Sequence, residues 1–513
     1  MKRFGLLILF IALIVPLQTN MTSAKAGPSD ELRVLASVDL DTLDPHAVWA
    51  LTTYIYMLNP VYDSLVTKSP DLKIKPALAE KWSVSPDGKE WTFHLRRNVK
   101  FHDGELFNAQ VVKANIDRIT NPKKFLAAKI LYFKGVKAEV VDDYTVKLIT
   151  ATPLADMLDN LASIGACMAS PEALEKLKKK EKVLPIGTGV YRFVDYKAGE
   201  SWTLEANAEY WGEKPKFKKI TFKVVPESAT RALMLETGET DLAINFSPTD
   251  YERLKNSDKI TAKVIMPTVS RLYLGFNTHQ KILSNQKVRQ ALNYAVDKHA
   301  ILSSVLFGIG RISDSPIASG QGVFHRQSEG YPYNLKKAMQ LLKEAGYADG
   351  INLTLKYSPG RYMADAQIMQ AVQAYLSQAK VKVELVPLEW ATYIAELKDP
   401  KKTDQYEMFL MSWGNPGLDS DFAPPLHSSN WPPGGNYTWY KNEDVDKWLE
   451  AGKVELDPKK RKEIYDKVQK QVMEDAPWLF LMERSNVAGW QKNLKGIFFQ
   501  IPNVVNFNQA YLE

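Results

Sequence analysis

Charged and aromatic side chains gather in three short segments of the C-terminal half, and their chemistry suits the binding of a small molecule. The segments are residues 358–362, 388–390 and 413–421, and their candidate binding residues are Arg361, Tyr362, Trp390, Trp413, Asn415, Asp419 and Asp421. A guanidinium group can hold a carboxylate through two parallel hydrogen bonds, and an aspartate can pair with an ammonium group. Aromatic rings can enclose the aliphatic parts of the same molecule. Together these groups would suit a zwitterionic solute.

Three residues outside these segments are further candidates for ligand contact. His46 and Trp49 lie in or just after the loop that follows the first predicted strand, and Arg271 alternates with apolar residues in a later strand. Because successive residues of a strand point to opposite faces, Arg271 could face either a cleft or bulk water. The sequence leaves both orientations open.

Some candidates have a structural explanation that competes with ligand contact. Trp390 stands where a helix is predicted to begin and could be a core residue, while Asp419 or Asp421 could cap the helix that follows. Arg361 lies between a glycine and a tyrosine in a predicted loop. Neither a core position nor a cap explains a guanidinium group there, so Arg361 is the strongest candidate for ligand contact.

The sequence lacks the common motifs of catalytic and cofactor sites. It has no G-x-x-x-x-G-K-[ST] phosphate loop, no G-x-S-x-G nucleophile elbow and no H-E-x-x-H zinc motif. Its seven histidines are dispersed, and the closest two, His94 and His102, are eight residues apart. No catalytic residue, resident metal or cofactor is therefore predicted. The alternative to a binding protein is an exported hydrolase, because acidic side chains in a cleft could catalyse the cleavage of a peptide.

The three binding segments follow predicted strands of an α/β unit. Strands are predicted at 351–357, 381–387 and 406–412, and helices at 335–345, 364–379 and 390–397. Alternating strands and helices are typical of a mostly parallel sheet covered by helices. Ligands bind such sheets beyond the carboxyl ends of the strands, where the three segments lie.

The first half of the chain has a different pattern of predicted secondary structure. It carries one clear helical pattern at 54–65 and strand patterns at 32–38, 91–95, 145–149, 191–194 and 202–205. Helical spacing becomes frequent only after residue 267. At least two lobes are therefore predicted, meeting near that residue.

Length and composition place the chain among large globular proteins. Its 513 residues exceed one ordinary domain, so about three domains are expected. The formal net charge is +7, and Lys2, Arg3 and Lys25 supply three of these charges, which leaves +4 after residue 26. Basic residues are nearly balanced by acids and are spread along the chain. This distribution argues against a nucleic-acid-binding protein.

Residues 1–26 are predicted to be a cleaved signal peptide. Lys2-Arg3 is a basic start, residues 4–17 are apolar, and Ala24-Lys25-Ala26 has the form of a cleavage site. An uncleaved anchor is the alternative, but it would need about 20 apolar residues. Cys167 is the only cysteine and lies far from the leader, so no lipid is expected on the mature N-terminus. The expected location is the periplasm, and Cys167 is predicted to be a small buried residue.

Seven short motifs follow one another along the chain. They are LDP at 43–45, WTFHLR at 91–96, FHDG at 101–104, GTGVY at 187–191, FN at 276–277, VRQALNYA at 288–295 and LLKEAGY at 341–347. This set resembles the peptide-binding family of solute receptors for ABC importers, solute-binding protein family 5. Residues 230–239, 429–433 and 475–478 resemble the glutathione-binding branch of that family.

The resemblance implies a fold and a set of boundaries. The implied fold is an α/β, two-lobed periplasmic binding protein of type II, cluster C, with an extra α+β subdomain in lobe I. The implied divisions are lobe Ia at 27–50, 185–267 and 485–513, subdomain Ib at 51–184, and lobe II at 268–484.

The resemblance also implies a function without catalysis. A peptide or peptide-like solute, with glutathione as one candidate, would be captured by lobe closure and delivered to an inner-membrane ABC permease with its ATPase. The receptor is expected to be monomeric and to need no cofactor. A receptor of the same fold for a nickel chelate, haem or another small solute is the alternative.

One position departs from the pattern of the family. Dipeptide and oligopeptide receptors usually place an aspartate three residues after the tryptophan that matches Trp413, where it holds the peptide ammonium group. This chain has Pro416 there, and the nearest acids are Asp419 and Asp421. Recognition of a free α-amino group and the identity of the ligand therefore stay open.

Overall fold

The computed structural model describes residues 30–48, 54–69, 73–121, 126, 133, 135–415, 417–500, 504–506 and 508–513. The predicted leader at 1–26, Trp49 and Pro416 lie outside these residues, and so do the predictions made for them. None of the described helices is long and apolar enough to cross a lipid bilayer.

Strands occur throughout the described part of the chain. In chain order they are β1 (Glu31–Ala36), β2 (Val66–Lys68), β3 (Ile74–Pro76), β4 (Ala79–Val84), β5 (Glu90–Leu95), β6 (Lys137–Asp142), β7 (Thr145–Ile149), β8 (Tyr191–Lys197), β9 (Ser201–Ala206), β10 (Lys219–Val224), β11 (Leu242–Ile244), β12 (Ile260–Ile265), β13 (Arg271–Phe276), β14 (Arg311–Ile312), β15 (Ile351–Tyr357), β16 (Val381–Pro387), β17 (Met408–Trp413), β18 (Trp478–Glu483), β19 (Asn486–Gln491), β20 (Leu494–Lys495), β21 (Phe498–Gln500), β22 (Val504–Asn506) and β23 (Tyr511–Leu512).

Helices are concentrated in the second half. The described α-helices are Asn59–Val61, Ala109–Thr120, Met157–Leu161, Pro171–Lys178, Ser228–Glu236, Pro248–Leu254, Gln286–Tyr294, Lys298–Ser304, Leu335–Glu344, Asp365–Gln378, Trp390–Lys398, Leu418–Leu426, Glu443–Val454 and Pro458–Asp475. A π-helical turn covers Tyr54–Leu58, and 3-10 turns cover Ile164–Ala166, Ser319–Phe324, Pro400–Gln405 and Ser428–Asn430.

A seven-stranded sheet is assembled from three separate parts of the chain. Its order is β12-β19-β11-β1-β10-β9-β8. β1 runs parallel to β10 and β11, and the other neighbours are antiparallel. The first strand, the block β8 to β12 and the late strand β19 thus share one sheet.

A six-stranded sheet carries the predicted binding segments. Its order is β14-β18-β13-β17-β15-β16. β15, β16 and β17 are parallel neighbours, as the alternation of strands and helices predicts. The prediction of a mostly parallel sheet is wrong for the other half, because β13, β14 and β18 pair in antiparallel fashion. An apolar run shows that a strand is buried, but it does not show the direction in which the strand pairs.

Side chains cover both faces of the six-stranded sheet. Leu274 and Leu355 lie on one face among aliphatic residues, including those of the helix Asp365–Gln378. Tyr273 and Trp478 lie on the other face, where their ring centres are 4.3 Å apart. Burial on both faces holds the strand ends in a fixed arrangement, on which a binding site can be built.

A third unit lies between β1 and β8 in the sequence. Its four-stranded antiparallel sheet has the order β4-β5-β7-β6. The helix Ala109–Thr120 buries Val112, Ile116 and Ile119 in the same core as Phe93 and Leu148. This unit therefore has a hydrophobic core of its own.

The chain passes between the two large sheets at two places. β12 ends at Ile265 in the seven-stranded sheet, and β13 begins at Arg271 in the six-stranded one. The return lies between the end of β18 at Glu483 and the start of β19 at Asn486. The lobe boundaries at 267 and 484 stay a prediction, and both fall inside these connections.

Several local features agree with the sequence analysis. Asn334 caps the helix Leu335–Glu344, because its Oδ1 accepts a hydrogen bond from the Lys337 backbone N–H at 2.9 Å. Gly346 after this helix has a positive φ of 89°, which glycine adopts without strain. The helix predicted at 54–65 instead ends at Val61, because Tyr62 takes up an extended conformation.

Candidate functional site

An open pocket of about 610 Å³ lies at the carboxyl ends of β15 and β16. Its wall is formed by residues 358–361, which follow β15, and residues 387–390, which end β16 and begin a helix. Because the two strands are parallel neighbours, their carboxyl ends meet at one edge of the sheet. Two of the three predicted segments thus share one pocket, and its volume is in the range of small-molecule sites.

Arg361 and Trp390 meet in this pocket. The guanidinium carbon of Arg361 lies 4.3 Å from the centre of the Trp390 ring. Arg361 is exposed and Trp390 is half-buried. A cation above an aromatic face is held in position while its N–H groups stay available as donors. Trp390 is also the first residue of the helix Trp390–Lys398, so the structural explanation and the pocket position both hold for it.

Glu389 fixes the start of that helix. Its Oε2 accepts hydrogen bonds from the backbone N–H groups of Ala391 at 2.8 Å and Thr392 at 3.1 Å. These two bonds hold the pKa of Glu389 below its usual value. The carboxylate therefore has a capping role, although its residue lines the pocket.

The loop after β15 is ordered by Asp365. The Asp365 carboxylate accepts hydrogen bonds from the backbone N–H groups of Gly360 at 3.0 Å and Tyr362 at 2.8 Å. The Tyr362 hydroxyl accepts a bond from the Ser412 backbone N–H at 3.1 Å. Tyr362 therefore ties the loop after β15 to the end of the neighbouring strand β17.

Arg484 is a residue of this region that the sequence analysis missed. Its guanidinium carbon lies 4.8 Å from the centre of the Tyr362 ring, and its Nη1 donates to Ser412 Oγ at 3.0 Å. Burial lowers the pKa of Arg484, and the charge of Arg361 lowers it further, while Tyr362 and Asp365 oppose this effect. The only sequence signal was an arginine directly after the buried strand β18, at a predicted lobe boundary.

Trp413 ends β17 at the same edge of the sheet. The residue is half-buried and pairs in register with Arg271 on β13. Its indole Nε1 is buried and has no hydrogen-bond acceptor among the described residues. An indole N–H usually finds an acceptor when it is buried, so a bound ligand could supply one here.

Arg271 and Asp421 are brought together, but away from solvent. Arg271 Nη1 lies 2.7 Å from Asp421 Oδ1, and the two side chains are 1% and 0% exposed. Arg271 is therefore shielded from bulk water, so the water-facing orientation considered from the sequence is wrong, and contact with a cleft stays a prediction. Asp421 also accepts bonds from Asn415 N–H at 3.0 Å and Gln321 Nε2 at 3.1 Å. Burial raises the pKa of Asp421, and Arg271 opposes this effect.

Asn415 and Asp419 belong to the same segment as Asp421. Asn415 is buried, and its Nδ2 donates to the Ser420 carbonyl at 3.2 Å. The Asp419 backbone N–H donates to Asp156 Oδ2 at 2.8 Å. The Asp419 carboxylate lies 3.8 Å from Lys453 Nζ. Burial raises the pKa of Asp419. Asp419 thus lies where the third unit touches the segment 413–421.

His46 is buried in the first half of the chain and is not among the residues that line this pocket. It is fully buried, its Nε2 is 3.0 Å from the Cys167 carbonyl oxygen, and its Nδ1 is 2.6 Å from Arg118 Nη1. Arg118 also pairs with Asp44 at 2.5 Å. His46 therefore joins the loop after β1 to the third unit. Cys167 is buried as predicted.

One cluster of metal-ligand residue types lies within the described residues. Ligand atoms of Asp314, His325 and Glu483 lie within 4.8 Å of one another. Arg311 already bridges the two acids, at 2.5 Å from Asp314 and 2.6 Å from Glu483. A guanidinium group therefore neutralises this cluster, which does not favour a divalent cation.

Comparison with known sequences agrees with this architecture. The family model described as "Bacterial extracellular solute-binding proteins, family 5 Middle" matches residues 73–464. The glutathione-binding protein GsiB of Salmonella choleraesuis is 32% identical over 505 residues, which cover 97% of each chain. GsiB of Escherichia coli strain K12 is 31% identical over 519 residues, covering 100% of this chain and 99% of the relative.

Solved structures share the fold over nearly the full length. The periplasmic binding protein DppA from Helicobacter pylori, in complex with the peptide STSA, has a TM-score of 0.78 and 27% identity, covering 95% of this chain and 98% of that one. NikA from Brucella suis, in complex with Fe(III)-EDTA, has a TM-score of 0.84 and 27% identity, covering 94% and 100%. The α/β periplasmic-binding-protein fold implied by the motifs is thereby confirmed.

Proposed function

The chain belongs to family 5 of the bacterial extracellular solute-binding proteins, and we propose that it is the receptor that captures a peptide or peptide-like solute for an ABC importer. One observation carries the proposal. Arg361 lies against Trp390 in a pocket at the carboxyl ends of parallel strands, and it makes no ion pair with any described residue. A guanidinium group placed in this way can hold a carboxylate.

The relatives support a peptide-like cargo. Two relatives at 31–32% identity are named glutathione-binding proteins, and a solved relative holds the peptide STSA. Glutathione is a tripeptide with free carboxylates, which suits the chemistry of Arg361. Reduced glutathione is therefore the first cargo to test.

We assign the candidate residues to two roles. Arg361 holds a carboxylate of the cargo, and Trp390, Tyr362 and Trp413 supply aromatic walls. Arg271, Asn415 and Asp421 fix the segment 413–421 from inside, because each is buried and bonded there. This division gives the buried ion pair a structural role and leaves the exposed guanidinium for the cargo.

Capture would proceed by closure of the two lobes about the connections at 266–270 and 484–485. A ligand biases this equilibrium only through contacts that differ between the open and closed forms. Closure around a bound solute is a common hinge motion of periplasmic binding proteins. The cargo would then pass unaltered to the permease and its ATPase.

The proposal also covers the cellular location, the processing and the oligomeric state of the protein. The chain is exported with cleavage after residue 26, carries no lipid, and acts as a monomer in the periplasm. The leader motif and the position of Cys167 support this part of the proposal. Mass spectrometry of the mature protein would contradict it by finding residues 1–26 or an attached acyl chain.

Titration calorimetry with reduced glutathione tests the proposed function. Arg361→Ala and Trp413→Ala should each weaken binding by about 1–3 kcal/mol, the usual scale for a charge-assisted bond or an aromatic anchor. Arg192→Ala is the matched control, because Arg192 is exposed on β8 and only 3.8 Å from Glu205. Unchanged affinity in both site variants would contradict the residue roles. New peptide products in the mixture, detected by mass spectrometry, would instead favour a hydrolase.

A chelate receptor is the second candidate, because NikA from Brucella suis shares the fold and holds Fe(III)-EDTA. If the cargo were a metal chelate, a strong competing chelator should strip the metal and lower the melting temperature of the loaded protein. An unchanged melting temperature would contradict the function of a chelate receptor.

A further inference from the structure

Hydrogen-bond donors outnumber free acceptors around Tyr362. The Arg361 guanidinium has the Trp390 ring as its only side-chain partner among the described residues. The Arg484 guanidinium, which lies against the Tyr362 ring, has one hydrogen bond, to Ser412 Oγ, and makes no ion pair with a described residue. Arg361 thus precedes Tyr362 in the chain, Arg484 lies against the Tyr362 ring, and neither guanidinium has a bonded carboxylate among the described residues.

The carboxylates near these two arginines are already hydrogen-bonded to other donors. Asp365 accepts bonds from the backbone N–H groups of Gly360, Tyr362 and Ala366. Glu483 is fully buried and bonded to Arg311 at 2.6 Å and to the Ser319 backbone N–H at 2.9 Å. Because these carboxylates hold other donors, they do not bond to the guanidinium groups of Arg361 and Arg484.

A half-buried guanidinium without a bonded anion is costly. Burial removes water from the charge, and a neighbouring positive charge raises the cost further. The lowered pKa of Arg484 has both of these causes. An anion bonded to Arg484 would relieve both effects, because charge-assisted bonds are strongest where water is excluded.

We propose that Arg484 is a second anion-binding residue, so that the cargo is a peptide-like solute with two acidic groups, one for Arg361 and one for Arg484. This inference rests on the proposed function and narrows its substrate class to dicarboxylates. Selectivity for the second acid then comes from Arg484, which lies at the connection between the two sheets. An anion bound there contacts the hinge itself.

The test compares a diacid with its matched monoacid. Calorimetry would use reduced glutathione and the same tripeptide with its glycine carboxylate converted to an amide, the glycine carboxylate being the acid assigned to Arg484, with wild-type protein, Arg484→Gln and Arg484→Lys. Wild type should prefer the diacid by about tenfold or more, and Arg484→Gln should lose this preference while keeping its affinity for the monoamide. Arg484→Lys should keep part of the preference, because it keeps the charge. Melting temperatures confirm that each variant is folded.

The outcomes separate the inference from the proposed function. Equal wild-type affinity for both probes, or an undiminished preference in folded Arg484→Gln, overturns the role of Arg484 and leaves a peptide receptor. If wild type binds neither probe, the peptide-receptor proposal and this inference fall together. Arg192→Gln, on the far sheet, should behave as wild type and excludes a general effect of lost charge.

Discussion

Arg271 and Asp421 show how a residue suited to ligand binding can instead hold the framework of a site. Both charges are almost wholly removed from water, and the cost of that removal is offset by their 2.7 Å contact and by bonds from Asn415 and Gln321. The guanidinium also lies 5.4 Å from the centre of the Trp478 ring. The pair joins β13 to the segment that carries Trp413.

Removal of one partner should therefore destabilise the fold. Asp421→Asn leaves the buried charge of Arg271 without its anion, and the free energy of unfolding should fall by about 3–5 kcal/mol in urea titrations. Asp419→Asn is the control, because Asp419 is partly exposed and only 3.8 Å from Lys453; it should change stability by less than about 1 kcal/mol. Equal urea midpoints for the two variants would contradict the structural role of the pair.

His102 predicts a dependence of stability on pH. The Gly187 N–H donates to its Nδ1 at 3.3 Å, and its Nε2 lies 2.9 Å from the Gly189 carbonyl, so the neutral ring satisfies both contacts. Burial lowers the pKa of His102 to about 4, whereas an unfolded histidine titrates near 6.5. Between these pH values the unfolded chain binds a proton that the folded chain does not. The stability that the neutral His102 ring contributes is therefore fully present above pH 6.5 and is lost as the pH falls toward 4.

The size of this effect can be measured with a substitution. The wild-type free energy of unfolding should drop by about 1–3 kcal/mol between pH 6.5 and 4 through His102 alone. His102→Gln should lose that part of the slope, while the exposed residue His299 provides a control as His299→Gln. Parallel pH profiles for wild type and His102→Gln would refute the assignment.

At the scale of elements, local signals predicted more than long-range ones. The strands at 351–357 and 381–387 and the cap at Asn334 follow from neighbouring residues, and the structure has them as predicted. The antiparallel half of the sheet depends on β18, which inserts beside β13 from about 200 residues away in sequence, and periodicity does not reveal such pairing.

The candidate site likewise contains residues that local sequence signals predicted and residues that they missed. Arg361 and Trp390 were predicted because two parallel strands bring their loops together. Arg484 was missed, since its neighbour Tyr362 comes from another strand end, and the burial of Arg271 depends on Asp421, 150 residues later. Spacing along the chain identifies the residue types, whereas pairing across the fold decides which of them stay exposed.

Gly414 is required where the end of β17 passes the start of β13. A Cβ atom at this position would lie 2.2 Å from the Val269 carbonyl oxygen and 2.6 Å from Ser270 Cα. Backbone atoms of a neighbouring segment cannot move aside as a flexible side chain can. Gly414→Ala should therefore displace Trp413, lower stability by about 1–3 kcal/mol and weaken glutathione binding.

Thermal melting and calorimetry on the same samples check this prediction. Ser420→Ala is the control in the same segment, because it removes only the hydroxyl that donates to the Gly417 carbonyl at 2.9 Å and adds no atom. Wild-type melting and affinity in Gly414→Ala would show that the two strand ends can separate freely.

At the scale of the whole molecule, the third unit contacts the six-stranded unit directly, in addition to the two chain connections that join the two large sheets. Asp156 precedes the helix Met157–Leu161, and its carboxylate is bonded to Arg461 of the helix Pro458–Asp475. Both side chains are nearly fully buried. The Ala155 N–H donates to the Lys453 carbonyl at 3.1 Å, beside this pair. Separation of the lobes would have to break these contacts.

This contact should set how readily the lobes stay closed. In the open form both charges would be hydrated, whereas in the closed form Asp156→Asn leaves Arg461 buried without its anion, so the substitution favours opening. Glutathione affinity should fall about tenfold or more although no cargo contact is removed, and small-angle scattering of the ligand-free variant should report a larger radius of gyration. Asp159→Asn is a matched control three residues away, because Asp159 pairs with Lys68 inside its own unit. If Asp156→Asn and Asp159→Asn had the same affinity and the same scattering profile, the buried pair would have no part in closure.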